Sequence, residues 1–198
     1  MTKVLLIDAD GVVIVGKYFS ERLSEKFGIP LERVLRFFKN EYTQCVLGKA
    51  DLKKELAKYI SLWKWKDSLD ALLDFWFSGD AICQDIIEII DTLRKRGMRC
   101  YIVSDNEMQR ARYLMDTMGL GRHVDGGFFS CDVGHTKSEQ AFFENILAKL
   151  SDVMPAEIFY WDDDEKNIEI AKRLGIRVGL YDGLPRFKEA IKKEVAMS

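Results

Sequence analysis

Acidic side chains stand in two groups, each at the end of an apolar run. Val4-Leu5-Leu6-Ile7 leads into Asp8-Ala9-Asp10-Gly11, and residues 158–161 lead into Asp162-Asp163-Asp164. Carboxylates two residues apart can divide labour, one attacking as nucleophile while the other serves as acid and base; on these residues alone, Asp8 and Asp10 could each take either part. Four carboxylates gathered in one place repel each other unless a cation sits among them. All-oxygen ligation selects a hard metal, and Mg²⁺ fits best, its remaining positions filled by waters and substrate phosphate oxygens. Ser104 and Lys137 add a hydroxyl donor and a positive charge. Such a set suits phosphoryl transfer, which asks a protein mainly for positioning and charge stabilisation.

Convergence requires a particular frame. A run of four branched apolar residues reads as a strand buried on both faces, at the centre of a parallel sheet. Side chains alternate along a strand, so Asp8 and Asp10 can share one side at its carboxyl end, where open α/β sheets bind ligands. From residue 82 onward, helix and strand patterns alternate. Ile86, Ile89, Ile90 and Leu93 mark a helix closed by Gly97, and a strand over 99–103 runs into Ser104. A helix carrying Ala111, Leu114, Met115 and Met118 on one face follows, then a short strand near 127–130. Thr136 and Glu139 have capping-box spacing, which predicts a helix starting there with Lys137 in its first turn. Strands over 158–161 and 176–180 and a final helix from about residue 185 complete the series.

The expected fold class is therefore α/β, a doubly wound parallel sheet. Between its first strand and the next helix lies an all-helical insert, with helices over 19–27, 30–46, 52–63 and 68–76. The expected division is a discontinuous core of residues 1–14 and 81–198 and a helical unit of residues 15–80. Asp8, Asp10, Ser104, Lys137, Asp162 and Asp163 then all fall at strand ends or in a following first turn, on one edge of the sheet.

Composition narrows the partners. Of 198 residues, 47% are hydrophobic and 31% charged, and the formal net charge of −2 is spread with both signs interleaved. That argues against nucleic acid and against a membrane surface as partners. The insert carries 12 basic against 10 acidic residues; the margin would favour an anionic ligand but reads as ordinary surface charge. Cys45, Cys83, Cys100 and Cys131 form no CxxC pair, which points to a reduced, cytoplasmic protein. Met1-Thr2-Lys3 leads directly into a strand rather than into a targeting segment.

At these motifs the chain resembles the haloacid dehalogenase superfamily. Asp8-Ala9-Asp10-Gly11-Val12 resembles its first motif, Ser104 its second, Lys137 its third and Asp162-Asp163 its fourth. In length and layout the chain is similar to the sugar-phosphate phosphatase group that includes glucose-1-phosphate phosphatase, and to the phosphatase domain of soluble epoxide hydrolase. The resemblance implies a Rossmann-like core with a small helical cap, and a Mg²⁺-dependent phosphatase acting on a small phosphorylated metabolite through an aspartyl-phosphate. It implies Asp8 as nucleophile and Asp10 as acid and base. Asp8 and Asp163 would be metal ligands through their carboxylates and Asp10 through its backbone carbonyl, with Asp162 holding metal-bound water. Ser104 and Lys137 would grip the phosphate, and Asn167 would brace the fourth-motif loop. Dehalogenases of the superfamily lack the second Asp, so Asp10 favours phosphate ester hydrolysis.

The departures from the pattern matter too. Asp105 stands beside Ser104 where Asn is usual; grouped with Ser104 and Lys137 around the phosphate, its charge would weaken binding unless it points away. Ser138 replaces a usual Pro, and Asp164 is expected to cap the following helix. Tyr42, Gln44 and Lys49 are candidates to line a substrate pocket. His135 is expected at the surface, Cys131 as a small buried hydrophobe, and Trp63 and Trp65 in core packing. A non-catalytic binding or regulatory protein and a phosphomutase are the alternative functions.

Overall fold

The computed structural model describes residues 2–196. Five parallel strands form the central sheet in the order β5-β4-β1-β6-β7: β1 (Val4–Asp8), β4 (Arg99–Ser104), β5 (Gly126–Phe129), β6 (Ile158–Asp162) and β7 (Arg177–Leu180). β1 is central, pairing with β4 on one side and β6 on the other. Its apolar run is unbroken because both faces of the sheet are covered. Leu5 and Ile7 pack into one cluster with Ile86, Ile90, Phe187 and Ile191, while Val4 and Leu6 pack into another with Phe142, Phe143, Ile146 and Ile170. Helices α6 (Gln84–Lys95) and α11 (Leu184–Ala196) cover the first face, and α9 (Gln140–Lys149) and α10 (Glu165–Arg173) the second. This is the doubly wound Rossmann-like core expected.

Between β1 and α6, within residues 17–79, lie five helices: α1 (Phe19–Phe27), α2 (Leu31–Lys39), α3 (Glu41–Val46), α4 (Leu52–Ala57) and α5 (Leu69–Phe77). They enclose a hydrophobic cluster of their own, built on Phe19, Phe37, Leu56, Trp63, Leu72 and Trp76. Asp51 and Ser68 cap α4 and α5, their side chains accepting from the Lys54 and Ala71 N–H groups. A two-stranded antiparallel ribbon, β2 (Ile14–Gly16) against β3 (Asp80–Ile82), ties the two ends of this insert together.

Several details differ from the sequence expectation. The ribbon reads as no strand in sequence, because three-residue strands carry too few alternations to register. The helix expected over 30–46 breaks at Asn40, whose backbone leaves the helical region. The helix expected over 52–63 ends at Ala57, and turns carry the chain to Trp63. Lys64 has φ +53°, the one positive φ outside glycine among the described residues, and this reversal lets Trp63 and Trp65 both enter the cap core. Thr136 N–H does bond the Glu139 carboxylate (3.1 Å), but α9 begins only at Gln140, so Lys137 lies in a turn ahead of the helix. Two short α-helices remain among the described residues, α7 (Met108–Arg112), which follows β4 and continues as a π-helical turn over Tyr113–Thr117, and α8 (Ser130–Val133) after β5. Among the described residues no helix is long and apolar enough to cross a membrane, and all four cysteines are free thiols.

Candidate active site

β1 delivers Asp8 to the carboxyl edge of the sheet with its side chain almost wholly buried. The Ala9 N–H donates to Asp8 Oδ1 (2.8 Å), and Lys137 Nζ lies 2.6 Å from the same oxygen. Burial pushes the Asp8 carboxyl up despite the neighbouring ammonium. Lys137 bridges to Asp162, with Nζ donating to Oδ2 at 2.8 Å. Burial works against the charge of Lys137, but Asp8 and Asp162 outweigh it and hold the ammonium above its ordinary value.

β6 ends at Asp162, whose two carboxylate oxygens both accept hydrogen bonds. Its Oδ2 accepts from Lys137, from the Tyr160 hydroxyl and from Asn167 Nδ2 (3.2 Å), and its Oδ1 accepts from the Asp164 N–H (2.7 Å). Asn167 thus braces the loop through Asp162 itself. Asp164 caps α10, its Oδ1 accepting from the Lys166 N–H. Asp163 is more exposed, and partial burial together with the charge of Asp162 raises its carboxyl.

Gly11 links the first and fourth motifs. Its φ is +89°, and a Cβ there would stand 2.3 Å from Asp163 Oδ2. Only glycine lets the turn after Asp10 pass so close to that carboxylate. Asp8, Asp162 and Asp163 each offer an oxygen within 4.8 Å of the other two. An all-carboxylate set beside a turn trimmed to glycine fits a hard divalent cation such as Mg²⁺.

Asp10 is held from the other side. Its Oδ2 accepts from Asn106 Nδ2 (2.7 Å), which also donates to Ser104 Oγ (2.7 Å). Its Oδ1 accepts from Arg110 Nη2 (2.8 Å), and Arg110 Nη1 forms an ion pair with Asp80 Oδ2 at 2.8 Å. Arg110 is buried, and although burial disfavours its charge, Asp10 and Asp80 keep it protonated. Glu107 caps α7, the helix that carries Arg110, accepting from the Gln109 and Arg110 backbone N–H groups.

Asp8, Asp10, Ser104, Lys137, Asp162, Asp163 and Asn167 therefore meet at one sheet edge. Asp105 takes a different part from the one expected. Its Oδ1 accepts the Lys137 backbone N–H (2.9 Å), so this carboxylate anchors the Lys137 turn instead of joining the phosphate donors. Of the three cap candidates, Tyr42 lines the cavity beside Asp10, whereas Gln44 and Lys49 are exposed and do not. His135 is partly exposed and pairs with Glu139.

Sequence reasoning passed over Asn106, Arg110, Glu107 and Asp80. A signal was present: an Asn two residues past the strand-end Ser lies in the same turn, and Arg110 interrupts the helix pattern beside the apolar Ala111. Asp80 gave none, because its role depends on the ribbon.

A family profile for haloacid dehalogenase-like hydrolases matches residues 2–175. Curated protein sequences gave no match. Among solved structures, a HAD family enzyme from Bacteroides thetaiotaomicron, determined in complex with magnesium and inorganic phosphate, superposes with a TM-score of 0.72 at 19% identity, covering 91% of this chain and 94% of its own. A HAD phosphatase from Thermococcus onnurineus gives 0.63 at 22% identity, with 91% and 86% covered. L-2-haloacid dehalogenase from Xanthobacter autotrophicus gives 0.68 at 17%, with 93% and 79% covered. At these identities the structural likeness speaks for the fold alone. The profile spans most of the chain and runs through the four motifs just described, and on that basis the chain belongs to the haloacid dehalogenase-like hydrolase family.

Proposed function

We propose that this hydrolase is a Mg²⁺-dependent phosphatase of a small phosphorylated metabolite, working through a phosphoaspartate at Asp8. The observation that carries the reading is the pairing of two differently held carboxylates, Asp8 on the Lys137 ammonium and Asp10 on Arg110 and Asn106. Phosphatases and dehalogenases both occur among the structural neighbours. A carboxylic acid at position 10 is useful to an ester, whose leaving oxygen needs a proton, and idle for a departing halide. The magnesium and phosphate in the Bacteroides enzyme lend support by analogy.

Both contacts of Asp8 fall on Oδ1, which leaves Oδ2 for in-line attack on phosphorus. Lys137 uses two protons on Asp8 and Asp162, and its third is available to a phosphate oxygen. The Ser104 hydroxyl is positioned as a second donor. As the bond from phosphorus to the ester oxygen breaks, Asp10, having taken up a proton from solvent when the ester enters, passes that proton to the departing oxygen and releases the alcohol. The resulting Asp10 carboxylate then takes a proton from water, whose oxygen attacks the phosphorus; inorganic phosphate leaves and the Asp8 carboxylate is restored. Asp8 and Asp163, with the Asp10 carbonyl, would hold Mg²⁺, and Asp162 its water. When bound, the cation neutralises charge on the transferring phosphoryl group.

Hydrolysis of an aryl phosphate with Mg²⁺, with and without chelator, tests the reading. Wild type should hydrolyse it, chelator should abolish the activity, and Asp8→Asn should fall to background. Full activity in Asp8→Asn would remove the nucleophile from the scheme, and metal-bound protein inactive on every phosphate ester would favour a binding role.

A further inference from the structure

The space beside Asp10 has a chemical character that the phosphate machinery does not require. A cavity of about 690 Å³ extends from Asp10 and Arg110 to the cap, a size suited to a small molecule. Its cap wall is formed by Phe19, Leu31, Leu35, Phe38, Tyr42 and Trp76. α2 explains how. Val34 and Phe37 are buried completely in the cap core, while Leu31, Leu35 and Phe38, at i, i+4 and i+7 on the flank of the same apolar face, line the cavity, Phe38 also packing on that core.

The mouth is apolar as well. Val15 and Tyr18, 43% and 68% exposed, line the same cavity beside Leu31, and together they make up half of the large hydrophobics that stand exposed among the described residues. Apolar side chains gathered at a ligand mouth are costly in water and mark a surface that something apolar covers.

Charge points the same way. Arg110 is the only cation on the cavity wall among the described residues; its Nη2 donates to Asp10, and its Nη1, buried without a hydrogen-bond partner, lies 2.8 Å from the Asp80 carboxylate that offsets its charge. Glu21, Asp80 and Asp105 add negative charge. None of the basic residues of the insert lines the space. A second anionic group on the substrate would find no partner there. A ring of sugar hydroxyls would lose water against the aliphatic and aromatic cap wall, with Tyr18, Ser20, Glu21 and Tyr42 to compensate, since Asp80, Asp105, Asn106 and Arg110 are engaged with other protein groups.

We infer that the alcohol released by this site is apolar or aromatic: the substrates are phosphate monoesters of hydrophobic alcohols, seated with the ester oxygen at Asp10 and the hydrocarbon along Leu31, Leu35, Phe38 and Trp76. The inference rests on the phosphatase reading for its chemistry and on the cavity for its specificity.

The test compares primary-alcohol phosphates of similar leaving-group basicity, hexyl and 2-phenylethyl phosphate against glucose 6-phosphate and phosphoglycolate, with Mg²⁺ and the full chain. The two apolar esters should exceed the polar ones in kcat/KM by about tenfold or more. Leu35→Lys should reverse the order, losing the apolar esters and gaining phosphoglycolate. Calorimetry with the Mg²⁺-loaded wild type should find hexylphosphonate bound about tenfold more tightly than phosphonoacetate. Better turnover of glucose 6-phosphate or phosphoglycolate would overturn the inference and leave the phosphatase intact. If no ester is hydrolysed, the phosphatase reading fails by itself, and calorimetry still decides the cavity: tighter hexylphosphonate upholds its apolar specificity, while equal, weaker or absent binding overturns it.

Discussion

Arg110 Nη2 donates to Asp10 Oδ1 at 2.8 Å while its Nη1 lies 2.8 Å from Asp80 Oδ2, so one buried guanidinium joins the proposed acid to the ribbon that carries the cap. Asp10 itself is exposed enough to swing, with 41% of its side chain open. The guanidinium and Asn106 fix its direction.

Arg110→Lys keeps the charge and loses the fork that spans two carboxylates. Its kcat on an aryl phosphate should drop about tenfold or more, part of the roughly 10²–10⁴-fold that a positioned acid and base supplies, with KM changing less. Steady-state kinetics beside a circular dichroism spectrum checks this. Unchanged kcat in a folded variant would show that Asp10 needs no clamp.

Gly11→Ala places a methyl group at φ +89° and 2.3 Å from Asp163 Oδ2. The strained backbone should cost about 1–2 kcal/mol, and Mg²⁺ should bind more weakly because the carboxylate must move. Thermal unfolding and calorimetric Mg²⁺ titration measure the two effects separately. Wild-type metal affinity in the variant would exclude Asp163 from the metal set.

Asp125 ties α6 to β4, pairing with Arg94 at 2.8 and 3.1 Å and accepting the Cys100 N–H at 2.8 Å. Arg94 holds its carboxyl below the ordinary value of 3.8. A depressed folded-state value means that the contribution is complete above the unfolded value and is lost as pH falls through the folded one. Because the pair is partly exposed, Asp125→Asn should cost only about 1 kcal/mol at neutral pH. Urea unfolding should show the two proteins converging below about pH 4 as the wild-type carboxylate protonates. A gap that persists in acid would assign the effect to packing.

Trp63 is fully buried in the cap, with ring centres 5.2 Å from Tyr59, 5.6 Å from Phe37 and 6.0 Å from Phe19. Trp63→Ala should destabilise the cap by about 3–5 kcal/mol. Because that cluster is separate from the two around the sheet, hydrogen exchange should quicken in α1, α2 and α5 while β1, β4 and β6 stay protected. Equal loss of protection in the sheet would mean that cap and core unfold as one unit.

The parallel sheet was legible because burial on both faces writes continuous apolar runs, Val4 to Ile7 and Ile158 to Trp161, and the site was legible because its acids stand directly at the ends of those runs. What sequence concealed depends on contacts between distant segments. Asp80 has no motif of its own and gains its role only where the β2–β3 ribbon brings it to Arg110. Asp105 is adjacent in sequence to a phosphate donor, yet the turn directs its carboxylate to the Lys137 N–H. The part that Leu31, Leu35 and Phe38 play was hidden because periodicity records that a face is apolar, not whether a core or a cavity lies against it.

The central claim is that Asp8 carries the phosphoryl group, and mass spectrometry of acid-quenched protein mixed with an aryl phosphate and Mg²⁺ tests it most directly. Asp10→Asn, slowed in the water-attack step, should accumulate a phosphoryl adduct on the peptide containing Asp8, and Asp8→Asn should show none. Continued hydrolysis by wild type with the adduct on another residue, or by Asp8→Asn with no adduct at all, would contradict the account.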